Sequence, residues 1–238
     1  MNFGFVTNIG KLRRQNEDCV YVNTNKPYYM IVADGMGGHN AGEVASKMAI
    51  DEISENFSKI KGRRKSDLED KTRAAFTSAN NQIYEYAEKN SKLMGMGTTA
   101  VTAIIHSGHL VIGNVGDSRA YIIKDKEIQQ ISEDHSYVWQ LVIRGEITHL
   151  QAKRHPKRNF ITRAMGTEKE VLVDTFVRKW EGGIVLLCSD GLTNLVDDNE
   201  IRDIVLGSES LQTAADKLVE LANDRGGNDN ITIALMGE

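Results

Sequence analysis

The spacing of apolar positions along the chain predicts groups of β-strands that alternate with helices. Short apolar or alternating runs are typical of strands at residues 20–23, 28–33, 99–106, 109–115, 119–124, 172–178, 183–188 and 231–236. The segments HSGHL (106–110) and IIKDKEI (122–128) leave room only for tight turns. We therefore expect hairpins there, and strands joined so closely must pair antiparallel.

Helical spacing separates these groups of strands. Apolar residues at every fourth position from Ala45 to Phe57 predict an amphipathic helix that begins near Gly42. Similar patterns predict helices over 66–90, 136–144 and 211–224, the first of which opens with the capping-box pair Ser66 and Glu69. Clustered hairpins with helices between them favour an α+β fold, with antiparallel sheets covered by helices.

The composition is that of an ordinary globular protein. The chain has 238 residues, of which 40% are hydrophobic and 26% charged, and it contains no evident linker, so we expect one domain over 1–238. The net charge of -4 argues against nucleic-acid binding. No apolar run approaches the roughly 20 residues that span a bilayer, and no signal-peptide pattern is visible. The expectation is a cytoplasmic monomer without membrane contact.

Acidic residues beside the predicted strands suggest a chemical role. Asp34, Asp117 and Asp190 each follow an apolar run, whereas Asp18 and Asp229 each precede one. Because antiparallel strands bring alternate starts and ends to one edge, these five carboxylates are expected to meet. One Asp-Gly pair alone is more often an ordinary turn. Several carboxylates together are different, since two of them ~5 Å apart repel by about 3 kcal/mol at a dielectric near 20, which demands protons or a cation.

The donor types indicate which cation and which reaction. Oxygen-only ligands suit Mg²⁺ or Mn²⁺, and the absence of CxxC or HExxH spacing disfavours Zn²⁺. Gly35, directly after Asp34, is expected to permit a sharp turn and to let a backbone carbonyl approach an ion. Paired metals suit phosphoryl chemistry. Arg13 or Arg14 could then bind phosphate, and His39 could protonate a leaving group.

Six motifs occur in order along the chain: RRQNED, VADGMGGH, MGTTAV, VGDSRAY, CSDGL and GGNDNIT. Together they resemble the metal-dependent Ser/Thr protein phosphatases of the protein phosphatase 2C family, in their compact bacterial form. The resemblance runs from about residue 2 to residue 237. It implies a central sandwich of two antiparallel sheets flanked by helical layers, a four-layer αββα arrangement.

The resemblance also implies a dinuclear centre of Mn²⁺ or Mg²⁺. Asp34 would bridge the two ions, the Gly35 carbonyl would bind one of them, and Asp190 with Asp229 would bind the other. Such a centre activates water and neutralises phosphate oxygens.

Other acidic residues would act around this centre. Asp18, with Glu17 as a further candidate, would act through bound water. A third ion, which bacterial members often hold, would use Asp117 with Asp190.

The resemblance assigns the remaining roles as well. The phosphate-binding arginine lies three residues before the Asn of NED, which selects Arg13 over Arg14, and His39 matches the general acid. Residues 145–166 occupy the place of a flap near the active site. Its basic run and Arg163, in TRAMG, would help to hold phosphoprotein substrates.

The implied function is hydrolysis of phosphoserine and phosphothreonine in proteins by direct attack of a metal-bound water, opposing a Ser/Thr kinase. A catalytically silent pseudophosphatase should lack one or more of Asp34, Asp190 and Asp229, yet all are present. A cysteine-nucleophile phosphatase needs Arg six positions after Cys, where this chain has Asn25 and Asn194. A two-metal nuclease would need a basic groove to bind nucleic acid, which the net charge disfavours.

Overall fold

The computed structural model of the protein describes residues 1–37, 41–60 and 65–238, with the side chains of 65 and 66 left aside. The strands are β1 (Asn2–Asn8), β2 (Asp18–Asn23), β3 (Tyr28–Met36), β4 (Gly97–Thr98), β5 (Ala100–His106), β6 (His109–Val115), β7 (Arg119–Lys124), β8 (Glu127–Gln130), β9 (Asp174–Lys179), β10 (Ile184–Cys188) and β11 (Ile231–Gly237). The helices are α1 (Ala41–Ser58), α2 (Lys65–Lys89), α3 (Tyr137–Ile143), α4 (His149–Lys153), α5 (Asp190–Thr193), α6 (Asp198–Leu206) and α7 (Leu211–Asp224), with a 3₁₀ turn at Ser91–Leu93.

The strands form two sheets whose pairings are all antiparallel. One sheet has the order β1-β11-β10-β7-β8, and the other has the order β2-β3-β5-β6-β9 with β4 paired to β3. The hairpins predicted at HSGHL and IIKDKEI are confirmed. Both turns consist of two residues with positive φ, Ser107-Gly108 and Asp125-Lys126, which matches the right-handed twist of paired strands.

Three apolar cores separate four layers of structure. Along β3, Tyr29 and Ile31 face the helices α1 and α2, whereas Met30 and Val32 face the other sheet. A third core lies between the sheet β1-β11-β10-β7-β8 and the helices α5, α6 and α7. Because both faces of β3 are buried, its sequence is a continuous apolar run rather than an alternating one. The predicted αββα arrangement is thus confirmed.

Most of the predicted elements are found, with shifted ends in places. The helix predicted over 211–224 matches α7, and the one predicted over 136–144 contains α3, for which Ser136 is the N-cap. The strand predicted over 172–178 begins at Asp174. The helix α2 is present, but the predicted capping role of Ser66 falls on a side chain outside the described residues.

Strand β1 and helix α6 are absent from the sequence prediction. Strand β1 lies at the edge of its sheet, with several exposed positions and with Gly4 in its middle, so it carries no clear apolar alternation. Gly4 is required there because a Cβ would collide with the backbone of Leu211 at the start of α7. Helix α6 is held by a capping box between Asp197 and Glu200, a signal visible in the sequence.

The segment 145–166, the predicted flap, is anchored at its base. Met165 exchanges two backbone hydrogen bonds with Thr98, at 2.9 and 3.0 Å, and the Tyr137 N–H donates to the Phe160 carbonyl at 2.8 Å. Within the segment, α4 is capped by Thr148. Among the helices of the described ranges, none combines the length and apolar character needed to cross a membrane.

Candidate active site

One end of the sandwich collects the five predicted aspartates. Asp18 begins β2 directly opposite Asp34 near the end of β3. Asp117 lies in the connection from β6 to β7, Asp190 begins α5 just after β10, and Asp229 lies just before β11. Burial raises the pKa of Asp34, and each of the other four carboxylates raises it further, so all five contribute to the electrostatics of this end of the fold.

The backbone of Asp34 is fixed by two threonines. Its N–H donates to Thr99 Oγ1 at 3.0 Å, and its carbonyl accepts from the Thr98 hydroxyl and from the Thr99 N–H, both at 2.9 Å. The Thr99 hydroxyl also lies 2.8 Å from that of Ser118, the neighbour of Asp117. Buried hydroxyl groups therefore tie together the backbone segments that carry two of the carboxylates.

Gly35 is required for close packing and not for a turn. It continues the extended strand β3, and its N–H donates to the Glu17 carbonyl at 3.1 Å. A Cβ at this position would collide with the carbonyl oxygen of Gly42 in α1. The expectation that Gly35 permits a sharp turn is therefore wrong, and the positive φ of 147° occurs at Gly37.

Asp18 is buried, with a partner on only one of its two oxygens among the described residues. Its Oδ2 accepts a hydrogen bond of 2.7 Å from the Ser189 hydroxyl. Its Oδ1 is buried and has no hydrogen-bond partner within the described part of the chain. A buried carboxylate oxygen without a partner is costly, so this atom is suited to a hydrogen bond from an additional bound group.

Burial and mutual repulsion raise the pKa values of four of the carboxyls. Burial is the larger cause at each, and it raises the pKa of Asp18 to about 7 and that of Asp190 to about 6. Burial and the neighbouring carboxylates raise the pKa values of Asp34 and Asp117 well above the usual range. The cluster therefore favours either bound protons or an added positive charge.

Asp190 and Asp229 have polar partners at the edge of the cluster. Asp190 Oδ2 accepts from the Asn194 side chain at 3.0 Å. Asp229 Oδ2 accepts from Arg13 Nη2 at 2.8 Å, in a pair that is partly exposed to solvent. Arg13 thus lies beside the carboxylates, as its predicted role requires.

Asn230 organises the loop that contains Arg13, a role that sequence reasoning missed. Its amide nitrogen donates to the carbonyls of Ile9 and Gln15, both at 2.9 Å, and its amide oxygen accepts from the Glu17 N–H at 2.8 Å. The position of Asn230 in GGNDNIT was the available signal. The residue holds the segment between β1 and β2 against the start of β11.

Two further predicted site residues are Arg163 and His39. Arg163 donates to Asp174 Oδ1 at 2.6 Å and to the Leu172 carbonyl at 3.2 Å, so its guanidinium is engaged by the protein itself. His39 lies outside the described residues.

A groove of about 720 Å³ runs from the carboxylates to the flap segment. Asp117 and Asp190 line it at one end, and Trp139, His149 and Arg158 line it on the flap side. The segment 145–166 thus lies next to the acidic cluster, in agreement with its predicted place.

The donor set fits a hard divalent cation. Every acidic group in the cluster offers oxygen, and Asp18 Oδ1 has no donor among the described residues. Burial, and after it the neighbouring carboxylates, raises the pKa of Asp34. Within the ranges that the structure describes, no group of three or more His, Cys, Asp or Glu side chains is placed closely enough to hold a metal ion. The carboxylates share one end of the fold but do not close around a point.

Comparisons with known proteins agree with the fold. The family model for protein phosphatase 2C matches residues 13–235. The serine/threonine phosphatase stp of Listeria welshimeri is 43% identical over 240 residues, which cover 99% of this chain and 95% of that protein.

Solved structures extend the likeness to three dimensions. Stp1 of Staphylococcus aureus, a serine/threonine phosphatase, superposes with a TM-score of 0.93 at 40% identity, covering 99% of this chain and 94% of that one. The catalytic domain of the phosphatase PstP, in complex with two manganese ions, superposes with a TM-score of 0.88 at 34% identity, covering 98% and 96%. This chain therefore belongs to the protein phosphatase 2C family and is a serine/threonine protein phosphatase.

Proposed function

We propose that the acidic end of the sandwich holds two Mn²⁺ or Mg²⁺ ions and a third ion beside them, and that it hydrolyses phosphoserine and phosphothreonine in proteins. The observation that carries the proposal is the burial together of carboxylates that raise one another's pKa values. Bound there, the ions would activate water and offset the charge of the phosphate oxygens. The manganese-bound PstP structure supports this choice of ion.

Asp34 is the central ligand in this proposal, because it lies among the other four carboxylates. The Gly35 carbonyl would serve one ion, and Asp190 with Asp229 the other. The absence of a side chain at Gly35 supports the role of its carbonyl. The Gly42 backbone packs where a side chain would be, so β3 and α1 can approach closely at this point. The threonines that fix the Asp34 backbone keep this ligand in place.

The remaining acids act at the margin of the centre. Asp117 with Asp190 would hold the third ion. Asp18 would accept a hydrogen bond from a bound water through its partnerless Oδ1, while Ser189 holds its other oxygen. Glu17 stays a candidate for the same kind of contact.

Arg13 would bind the substrate phosphate. Its guanidinium lies at the edge of the cluster on Asp229, where it can reach incoming phosphate oxygens from the solvent side. A planar guanidinium can bind phosphate through two parallel hydrogen bonds.

His39 would protonate the departing serine or threonine oxygen, since its ordinary pKa lies near neutrality. Arg163, with the flap at 145–166, would help to hold the phosphoprotein. Its bonds to Asp174 and Leu172 favour an indirect contribution through the base of the flap.

The substrates would be phosphoproteins modified by a Ser/Thr kinase. We further propose that the chain acts as a single catalytic domain over 1–238, as a cytoplasmic monomer. The likeness covers 99% of the chain against the Listeria welshimeri phosphatase, which supports the single domain.

Asp34→Asn is expected to reduce Mn²⁺-dependent hydrolysis of an aryl phosphate by at least ~100-fold, because it removes the charge that two ions would share. Initial rates are measured with Mn²⁺ and with excess chelator. Asp70→Asn, a change of the same kind at an exposed site on α2, is the control and should retain wild-type rates. Hydrolysis that persists in chelator would refute the metal requirement.

Metal binding is expected to stabilise the protein more at pH 7.5 than at pH 5. The raised pKa values of Asp18 and Asp190 mean that the metal-free folded state retains protons that the unfolded chain has lost above about pH 4. Without metal, these groups therefore lower stability as the pH rises towards 7, and Mn²⁺ relieves that loss.

At 100 times its Kd, an ion contributes about 2.7 kcal/mol, or roughly 5–10 °C in Tm at pH 7.5. Thermal melts with Mn²⁺ and with chelator at both pH values measure the difference. Equal increments at pH 5 and pH 7.5 would contradict the carboxylate origin of the effect.

Arg13→Ala is expected to raise KM for a phosphothreonine peptide, and the inhibition constant of inorganic phosphate, by about 10–100-fold. This range corresponds to the loss of charge-assisted hydrogen bonds worth ~1.5–3 kcal/mol. Arg14→Ala, the same change one residue along, is the control and should have little effect. If both variants lose the same affinity, the assignment of Arg13 is wrong.

His39→Ala is expected to slow phosphothreonine peptide hydrolysis by about 100-fold or more, but aryl phosphate hydrolysis much less. A phenolate leaves without help from an acid, whereas an alkoxide needs a proton. The two kcat values are compared in the same variant, with His109→Ala as a control outside the site. Losses of the same size on both substrates would argue against the acid role.

A further inference from the structure

His135 is a buried histidine outside the set of proposed ligands. It lies between β8 and α3, and its exposure is 7%. Burial lowers its pKa, which favours the neutral ring. None of the roles proposed above uses this side chain.

The ring and the backbone of His135 both bond to Gly116. The Gly116 N–H donates to His135 Nδ1 at 3.0 Å, and the His135 N–H donates to the Gly116 carbonyl at 2.9 Å. The carbonyl also accepts from the Asn114 side chain at 3.3 Å, whereas the ring is the acceptor for the amide. The Gly116 carbonyl therefore has two donors, whereas the acceptor for the Gly116 N–H is His135 Nδ1.

The other nitrogen of the ring contacts two charged side chains. His135 Nε2 lies 3.1 Å from Asp174 Oδ2 and 2.9 Å from Arg163 Nη1. Arg163 donates to Asp174 Oδ1 at 2.6 Å and holds that carboxylate. The orientation of the imidazole is thus fixed by contacts on both of its nitrogens.

Gly116 directly precedes Asp117, and its backbone is closely packed. Its φ is +111°, and a Cβ would lie 2.5 Å from the Thr99 side chain. On the far side of Asp117, the Ser118 hydroxyl lies 2.8 Å from that of Thr99. The peptide that carries Asp117 is therefore held from one side by His135 and from the other by Thr99.

We propose that His135 is a positioning residue for the third ion, and that it sets the Asp117 carboxylate by accepting the Gly116 amide hydrogen at Nδ1. The inference rests on the proposed role of Asp117 as a ligand of that ion. Mutation of a residue that orients a metal ligand through a hydrogen bond commonly lowers metal affinity by about 10–100-fold.

Three substitutions separate the acceptor from the rest of the ring. His135→Asn keeps an acceptor oxygen near the position of Nδ1 but cannot reach Asp174. His135→Gln reaches towards Asp174 but places no acceptor near Nδ1, and His135→Ala removes both. The backbone N–H of residue 135 still donates to Gly116 in all three variants.

The measurements are Mn²⁺ binding by calorimetry and hydrogen exchange of the 114–119 segment, made with full-length protein. We expect His135→Ala and His135→Gln to weaken the weakest Mn²⁺ site by about 10-fold or more and to speed exchange in that segment. His135→Asn should stay within about 3-fold of wild type in both measurements. Melting temperatures in chelator are recorded for all variants to detect general destabilisation. Such destabilisation would not spare His135→Asn while affecting both His135→Ala and His135→Gln.

Asp117→Ala provides the reference. If it abolishes the weakest Mn²⁺ site while His135→Ala leaves that site intact, the role of His135 is refuted and the proposed centre stands. If His135→Asn behaves like His135→Ala, the acceptor at Nδ1 is not what matters, and the inference is again refuted. If Asp117→Ala leaves all Mn²⁺ sites unchanged, the third site itself is wrong, and the role of His135 fails with it.

Discussion

Repulsion among buried carboxylates is the constraint on which the active end of this protein depends. The antiparallel pairing of β2 with β3 sets Asp18 opposite Asp34, and the adjacent ends of other strands add Asp117, Asp190 and Asp229. A fold that only needed stability would not bury these charges together, because their pKa values rise and the free energy of unfolding falls at neutral pH. A bound cation relieves that cost, so the arrangement that weakens the metal-free protein is the one that creates affinity for metal.

The rest of the structure keeps these carboxylates in place. Three apolar cores support the two sheets, and both faces of β3 are buried, so the strand that carries Asp34 cannot shift independently. Behind the acids, the Ser189 hydroxyl donates to the Asp18 carboxylate, and the Thr99 hydroxyl accepts from the backbone N–H of Asp34. A neutral donor such as the Ser189 hydroxyl orients a carboxylate without neutralising it, which leaves its charge available to an ion.

Much of the fold and of the site was predictable from sequence, because both depend on local patterns. Apolar runs gave the buried strands, and aspartates at their ends gave the cluster once antiparallel pairing was assumed. Gly35 shows where this reasoning fails. A glycine after a predicted strand suggested a turn. Glycine is instead needed at this position because the backbone of Gly42 packs against it, and no local pattern reveals a neighbour in space. Asn230 and His135 were missed for the same reason, since their partners lie in other segments of the chain.

Anomalous diffraction from crystals soaked in Mn²⁺ tests the central claim most directly, since it locates the ions independently of activity. If the carboxylates hold the ions as proposed, two strong peaks lie on either side of the Asp34 carboxylate, with Asp190 and Asp229 on one of them, and a weaker peak lies beside Asp117. Peaks elsewhere, or no peak within the acidic cluster at saturating Mn²⁺, would contradict that proposal.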